Sequence, residues 1–150
     1  MTAGTLNPRL QEIAEDFSAL TGNERLQLLL EFSRDLPPLA ARYAEHRDLL
    51  EPVPECQTPL FLAVEVDADA DATVHLFFDA PPEAPTTRGF AGILHTGLDG
   101  LAAEEILSTP AEFSSQLGLQ DLVSPLRLRG MAAMLARIKR QVREQRALTA

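Results

Sequence analysis

The stretches Leu60-Phe61-Leu62-Ala63-Val64-Glu65-Val66 and, beyond an acidic break, Val74-His75-Leu76-Phe77-Phe78-Asp79 decide the fold class of this chain. Both alternate with the period of two that a pleated strand imposes on its side chains. Leu60, Leu62, Val64 and Val66 share one face, with Phe61, Ala63 and Glu65 on the other. Val74, Leu76 and Phe78 oppose His75, Phe77 and Asp79 in the same way. The break, Asp67-Ala68-Asp69-Ala70-Asp71-Ala72, reads as a flexible acidic turn, so an antiparallel hairpin is expected. Its alternating aspartates lack the glycine and distal glutamate of an EF-hand loop, and calcium is not expected there.

Helical patterns lie on both sides of the hairpin. Asn7-Pro8 is a cap followed by a first-turn proline, and Leu10, Ile13, Ala14 and Phe17 then mark one apolar face. Thr21 and Glu24 form a capping-box pattern before a helix carrying Leu26, Leu29 and Leu30, which Pro37-Pro38 must stop near Leu36. A short helical segment is expected around residues 39–43. After the hairpin, a helix begins near Pro85, short helices are expected over 102–107 and 111–117, and Ser124-Pro125 starts the last helix. Met131, Met134, Leu135, Ile138 and Val142 follow its helical period, so the methionines are core fillers. Helices, then strands, then helices predict an α+β fold. It is one compact domain over residues 1–150, core about 8–146 with flexible termini, whose small antiparallel β-sheet is covered by helices on one face.

Composition sets the outer limits. The 150 residues carry a net charge of −9, divided unevenly. Residues 1–83 hold 16 acidic and 5 basic side chains, whereas 7 of the 13 Lys and Arg lie between Arg127 and Arg146. The overall sign argues against a nucleic-acid footprint. A basic last helix can serve as a solvated face or meet an acidic partner. No apolar run is long enough to span a bilayer and the N-terminus lacks a signal-peptide pattern, so the expected location is cytoplasmic.

Cys56 is the only cysteine, in Pro52-Val53-Pro54-Glu55-Cys56-Gln57-Thr58-Pro59. It has no internal disulfide partner and no second thiol for a metal site. The surrounding prolines argue against a helix interior or a central strand, so the thiol is expected on a loop rather than buried as a small hydrophobe. His46, His75 and His95 show no metal-ligand spacing. Lys139, the only lysine, sits on the basic helix, and no Gly-rich phosphate loop occurs. Ten carboxylates and one basic residue, Arg47, lie between Glu45 and Glu83. Negative surroundings favour the neutral thiol.

Three stretches together resemble the SufE family of cysteine desulfuration proteins. They are Val53-Pro54-Glu55-Cys56-Gln57-Thr58-Pro59-Leu60-Phe61, then Pro82 to Phe90, then Leu117-Gly118-Leu119 through Ser124-Pro125-Leu126-Arg127-Leu128-Arg129-Gly130-Met131. Glu55 stands where the family has glycine, Thr58 where it has serine, and Phe61 where it has tryptophan. The resemblance implies a SufE/IscU-like fold and a sulfur acceptor for iron–sulfur cluster assembly. Such a protein takes a persulfide sulfur on Cys56 from a cysteine desulfurase and passes it to a cluster scaffold. It implies an accessory protein that stimulates its partner rather than an enzyme of its own. No cofactor or metal is expected on this chain; pyridoxal phosphate belongs to the desulfurase. A monomer or weak homodimer is expected. The resemblance also implies that Arg127 and Glu83 lie near the cysteine loop. Arg127 then steadies the sulfur or contacts a partner, while Glu83 caps the following helix. Leu50, Val53 and Phe61 are the expected apolar cover of the thiol. Two alternatives stay open: a rhodanese-type sulfurtransferase as donor, and a non-catalytic interaction module whose cysteine is incidental.

Overall fold

The computed structural model describes residues 6–149; of the termini expected to be flexible, residues 1–5 and 150 lie outside it, whereas Asn7 caps the first helix and the last helix runs to Thr149. Helix α1 (Pro8–Ser18) starts as its cap chemistry requires. The Asn7 side-chain oxygen accepts from the N–H groups of Arg9 at 2.9 Å and Leu10 at 3.1 Å. Helix α2 (Gly22–Asp35) opens with the capping box, Glu24 Oε1 accepting from the Thr21 N–H at 3.2 Å, and ends before Pro37-Pro38. A single turn, α3 (Ala41–Ala44), follows.

The hairpin forms as its alternation predicts. Strand β2 (Phe61–Val66) pairs antiparallel with β3 (Val74–Asp79), placing Leu62 opposite Phe78 and Val64 opposite Leu76. A third strand, β1 (Glu51–Pro52), pairs antiparallel with the start of β2, giving the order β1-β2-β3. Two residues including a proline carry no strand signal; pairing with Leu62 and Phe61 alone creates β1.

Helices α4 (Pro85–Leu98), α5 (Ala103–Leu107) and α6 (Pro125–Thr149) complete the chain. The segment expected as a helix over 111–117 is instead a 3-10 turn, Phe113–Leu117, closed by Gly118 in the left-handed region. Only seven residues separate Pro110 from that glycine, and the chain takes the tighter turn there. On α6 the stripe Met131, Met134, Leu135, Ile138 and Val142 is buried throughout, each side chain contributing about 1.5–3 kcal/mol of apolar transfer. It packs with Leu62, Val64, Leu76, Phe78 and the buried faces of α1 and α4 in one core. Helix α4 approaches α2 so closely that a Cβ at Gly92 would strike the Phe32 backbone. Arg88 fastens the same junction by donating to the carbonyls of Ser33 (2.9 Å), Ala80 (2.7 Å) and Leu36 (3.3 Å).

The second sheet face is not left to solvent. Tyr43, Leu50 and Ala63 are buried there beside Phe61 and Phe77, so the segment 39–50 covers a face expected to be open. Two aromatic side chains on that face explain it. They present large apolar area, and Tyr43 meets Phe77 with ring centroids 4.9 Å apart. Beyond β1, the outer edge of β2 is taken by α6. Gln141 accepts from the Val64 N–H at 3.2 Å and Gln145 from the Val66 N–H at 3.1 Å, while the Gln145 amide also donates to the Val64 carbonyl. On the far edge of β3, the Val74 N–H donates to Leu101 O and the Leu76 N–H to Asp99 Oδ1. Among the described residues, no helix is long and apolar enough to cross a membrane.

Candidate functional site

Cys56 closes a 3-10 turn, Pro54–Cys56, with Pro54 at its first position and Gln57 turning out of it in the left-handed region (φ 64°). Cys56 does lie outside any α-helix or strand, but that does not put the thiol in solvent. Cys56 is only 3% exposed and belongs to the main core, correcting the expectation of a presented loop thiol. The turn directs its side chain inward onto α6, where Sγ lies 3.7 Å from the Gly130 carbonyl oxygen as a weak donor. Gly130 is the seat. A Cβ there would stand 3.1 Å from Sγ and 3.2 Å from the Cys56 Cα, so any larger residue would push the turn and the helix a few tenths of an ångström apart.

The expected cover is partly corrected. Val53 shares the core with Cys56, but Leu50 and Phe61 are turned to the opposite sheet face, where they pack around Tyr43 and Ala63. The α6 backbone does the covering in their place. Thr58 ties the exit of the turn to α4, its hydroxyl lying 3.4 Å from that of Thr87.

Burial pushes the Cys56 thiol up to about 11; the Glu55 charge adds to this and Arg137 opposes it. The expectation of a neutral thiol is met in direction, although desolvation is the larger cause. Arg137 is the cation that reaches the turn. Its Nη2 lies 3.0 Å from Glu55 Oε1, and its Nε lies 3.3 Å from both Glu51 Oε2 and the Pro52 carbonyl oxygen. Glu51 is held further by Arg140 and by Gln141 Nε2 at 2.8 Å.

Among the described residues, the Arg127 and Glu83 side chains make no hydrogen bond or ion pair with the Cys56 turn. Residues 124–127 are all exposed, because the first turn of α6 projects past the core that begins at Gly130. Among the described residues the Arg127 guanidinium has no ion-pair partner, and its backbone N–H is capped by Ser124 Oγ at 3.3 Å. Three residues rotate a helix by about 300°, so Arg127 flanks the thiol seat rather than facing it. Glu83 is exposed and makes no cap, since Ala84 holds the N-cap position of α4 without a side-chain hydrogen bond. Ala84 separates Glu83 from the N–H groups it would have to reach.

Sequence reasoning missed Gly130 and Arg137. A glycine inside a regular helix is a signal, since it costs about 1 kcal/mol against alanine and calls for a close neighbour. Arg137 follows Gly130 by seven residues, which returns it to nearly the same side of α6. His75 engages Asp67 at 2.9 Å rather than the thiol. Among the described residues no group of three His, Cys, Asp or Glu is placed to hold a metal ion.

Comparison with known proteins bears on the family and the fold. A family model described as SufE: Fe-S metabolism associated domain matches residues 11–142. A SufE-like protein of Mycobacterium tuberculosis is 55% identical over 145 residues, 96% of this chain and 99% of that protein. SufE-like protein 1, chloroplastic/mitochondrial, of Arabidopsis thaliana is 28% identical over 131 residues, 87% of this chain and 33% of its own length. The solution structure of a hypothetical protein from Thermus thermophilus superposes with a TM-score of 0.82 at 40% identity, covering 97% of this chain and all of that one. The match runs from α1 into α6 and takes in both the thiol turn and its glycine seat, and the chain therefore belongs to the SufE family, with a role in Fe-S metabolism.

Proposed function

We propose that this protein is a sulfur acceptor and carrier that receives a persulfide sulfur on Cys56 from a cysteine desulfurase and delivers it for iron–sulfur cluster assembly. The observation that carries the reading is the state of the thiol. The chain's only cysteine lies within the matched region, in the stretch that resembles the family's cysteine motif, and is shielded against a helix backbone. A persulfide is labile, and a dry seat that can close over it protects the cargo between donor and acceptor.

The transfer needs no net oxidation. The Cys56 sulfur attacks the outer sulfur of the donor persulfide, a new S–S bond forms on Cys56, and the donor's own S–S bond breaks. The electron pair leaves with the donor cysteine sulfur, which takes up the proton lost by Cys56. A thiol with a raised pKa is a poor nucleophile in isolation. Activation then falls to the donor site, whose pyridoxal phosphate performs the C–S cleavage on the partner. This chain contributes the acceptor sulfur and the shielding.

Incubation with a cysteine desulfurase and cysteine, followed by intact-mass measurement, tests the proposal. The expected result is the gain of one sulfur atom by the wild-type chain and none by Cys56→Ser, with faster desulfurase turnover only for the wild type. Burial of Cys56 supports a second reading, in which the thiol merely fills the core of an interaction module. In that case Cys56→Ser leaves the partner's turnover unchanged and no sulfur is gained.

A further inference from the structure

Cys56 cannot receive anything in the conformation described. Its sulfur is covered on the α6 side by Gly130, where even a carbon atom would stand 3.1 Å away. To form a persulfide, the donor's outer sulfur must come within about 2 Å of Sγ, and at 3% exposure the closed thiol offers no approach from solvent. The turn must therefore swing off α6, and what holds it there sets how often it does so.

The two ends of the turn are held unequally. On the exit side Gln57 is exposed, and the hydroxyl pair of Thr58 and Thr87 at 3.4 Å is the side-chain tie. On the entry side, Arg137 reaches Glu55, Glu51 and the Pro52 carbonyl at 3.0–3.3 Å. Arg137 leaves α6 on nearly the same side as Gly130, two turns further along. The residue that grips the turn and the residue that seats the sulfur thus belong to one face of one helix.

We propose that Arg137 is the positioning residue of the sulfur site: anchored on strand β1 through Glu51 and the Pro52 carbonyl, it grips Glu55 and so clamps the Pro54–Cys56 turn shut on α6, and Cys56 takes up sulfur only when that clamp releases. The clamp's meaning for sulfur transfer rests on the carrier reading above; the clamp itself does not. Its chemistry suits release. The Glu55 side chain is 46% exposed and that of Arg137 23%, so water and a docking surface can exchange for each other's partner at little cost. Glu55, the residue that departs from the family glycine, is the carboxylate nearest the thiol in sequence. The departure thereby gains a role, since a glycine here would offer Arg137 no side chain to hold.

The test reads the closed state directly, without any sulfur donor. Labelling of Cys56 in the full chain by iodoacetamide, a neutral reagent, reports the fraction of time the turn is open. Arg137→Gln and Glu55→Gln should each speed labelling by about three- to fivefold, the upper part of the range expected when an exposed ion pair is lost. The double variant should label no faster than about the faster single variant, because both remove one contact. Arg137→Lys should restore part of the protection, and raised salt should speed the wild type more than either variant. Labelling within twofold of wild type in both Gln variants overturns the proposal. So does a rise that tracks global unfolding in urea, since the thiol would then be reached by unfolding rather than by release of the turn. If labelling responds as expected while no sulfur is gained from a desulfurase, the clamp stands and the carrier reading fails.

Discussion

Replacing Gly130 by alanine sets two effects of similar size against each other, and the structure says where each falls. Removing a helix-interior glycine stabilises α6 by about 1 kcal/mol. The new methyl would stand 3.1 Å from Cys56 Sγ and 3.2 Å from its Cα, against the roughly 3.5–4.0 Å at which such contacts become favourable. Something must retreat by about half an ångström. Overpacking of this kind costs about 1–3 kcal/mol where the surroundings are rigid. Helix α6 is rigid here, anchored by Met131, Met134 and Ile138 in the core, whereas the turn is fastened by exposed ion pairs and a weak S–H contact. The turn gives way. The closed form of Gly130→Ala should therefore lose about 1–2 kcal/mol relative to the open form, and 1.4 kcal/mol corresponds to roughly tenfold faster Cys56 labelling. Because the open form keeps the helix gain, the thermal midpoint should stay within about 4 °C of wild type. Iodoacetamide labelling and a melt on the same preparation measure both. Wild-type labelling together with a midpoint lowered by much more than that would show that the helix, not the turn, absorbed the methyl, and would refute the reasoning.

Three further outcomes are expected. A thiol raised to about 11 by burial ionises in the unfolded chain before the folded one, so its stabilisation is complete below its ordinary pKa near 9 and is lost as pH rises through 11. The stability of wild type relative to Cys56→Ser should fall by an amount on the order of 2 kcal/mol between about pH 8 and pH 11, and a pH-independent difference in urea unfolding would contradict the assignment. Arg88→Ala should destabilise the fold by about 2–4 kcal/mol in the same assay, because the carbonyls of Ser33, Leu36 and Ala80 lose a charged donor at a packed junction; a change below about 1 kcal/mol would show that water replaces it. Arg127→Ala should leave stability within about 1 kcal/mol, as its exposure requires, and slow sulfur uptake from a desulfurase several-fold; normal uptake would remove Arg127 from the site.

What could be read from the sequence is what local chemistry writes. The Asn7 cap, the Thr21–Glu24 box, the period of the hairpin and the Met131–Val142 stripe each depend on neighbours a few residues apart, and each appears where expected. The cysteine itself was legible as the one thiol in a proline-framed stretch. Its burial was not, because the contact that creates it joins residues 74 positions apart. Arg127 drew attention as the charged member of its motif, yet the uncharged Gly130, three residues on, is the one against the sulfur. Strand β1 and the Arg137 contacts share the same cause of invisibility. The first exists only through its pairing with β2 and the second only once α6 has docked on the sheet, and nothing in the spacing of Glu51, Glu55 and Arg137 announces either.

The glutamines of α6 bear on how this molecule can be approached. By occupying the amides of Val64 and Val66, Gln141 and Gln145 act as a false neighbouring strand, while Asp99 and Leu101 do the same for Leu76 and Val74 on the opposite margin. Unsatisfied strand margins invite foreign chains to add on, whether as partners or as aggregates. A foreign strand at the β2 margin would first have to pry α6 away, and with it the glycine that shelters the sulfur. Strand addition at this margin and a closed Cys56 seat are thus mutually exclusive in this architecture, which leaves side-chain surfaces as the route by which another protein can read the molecule without uncovering the thiol.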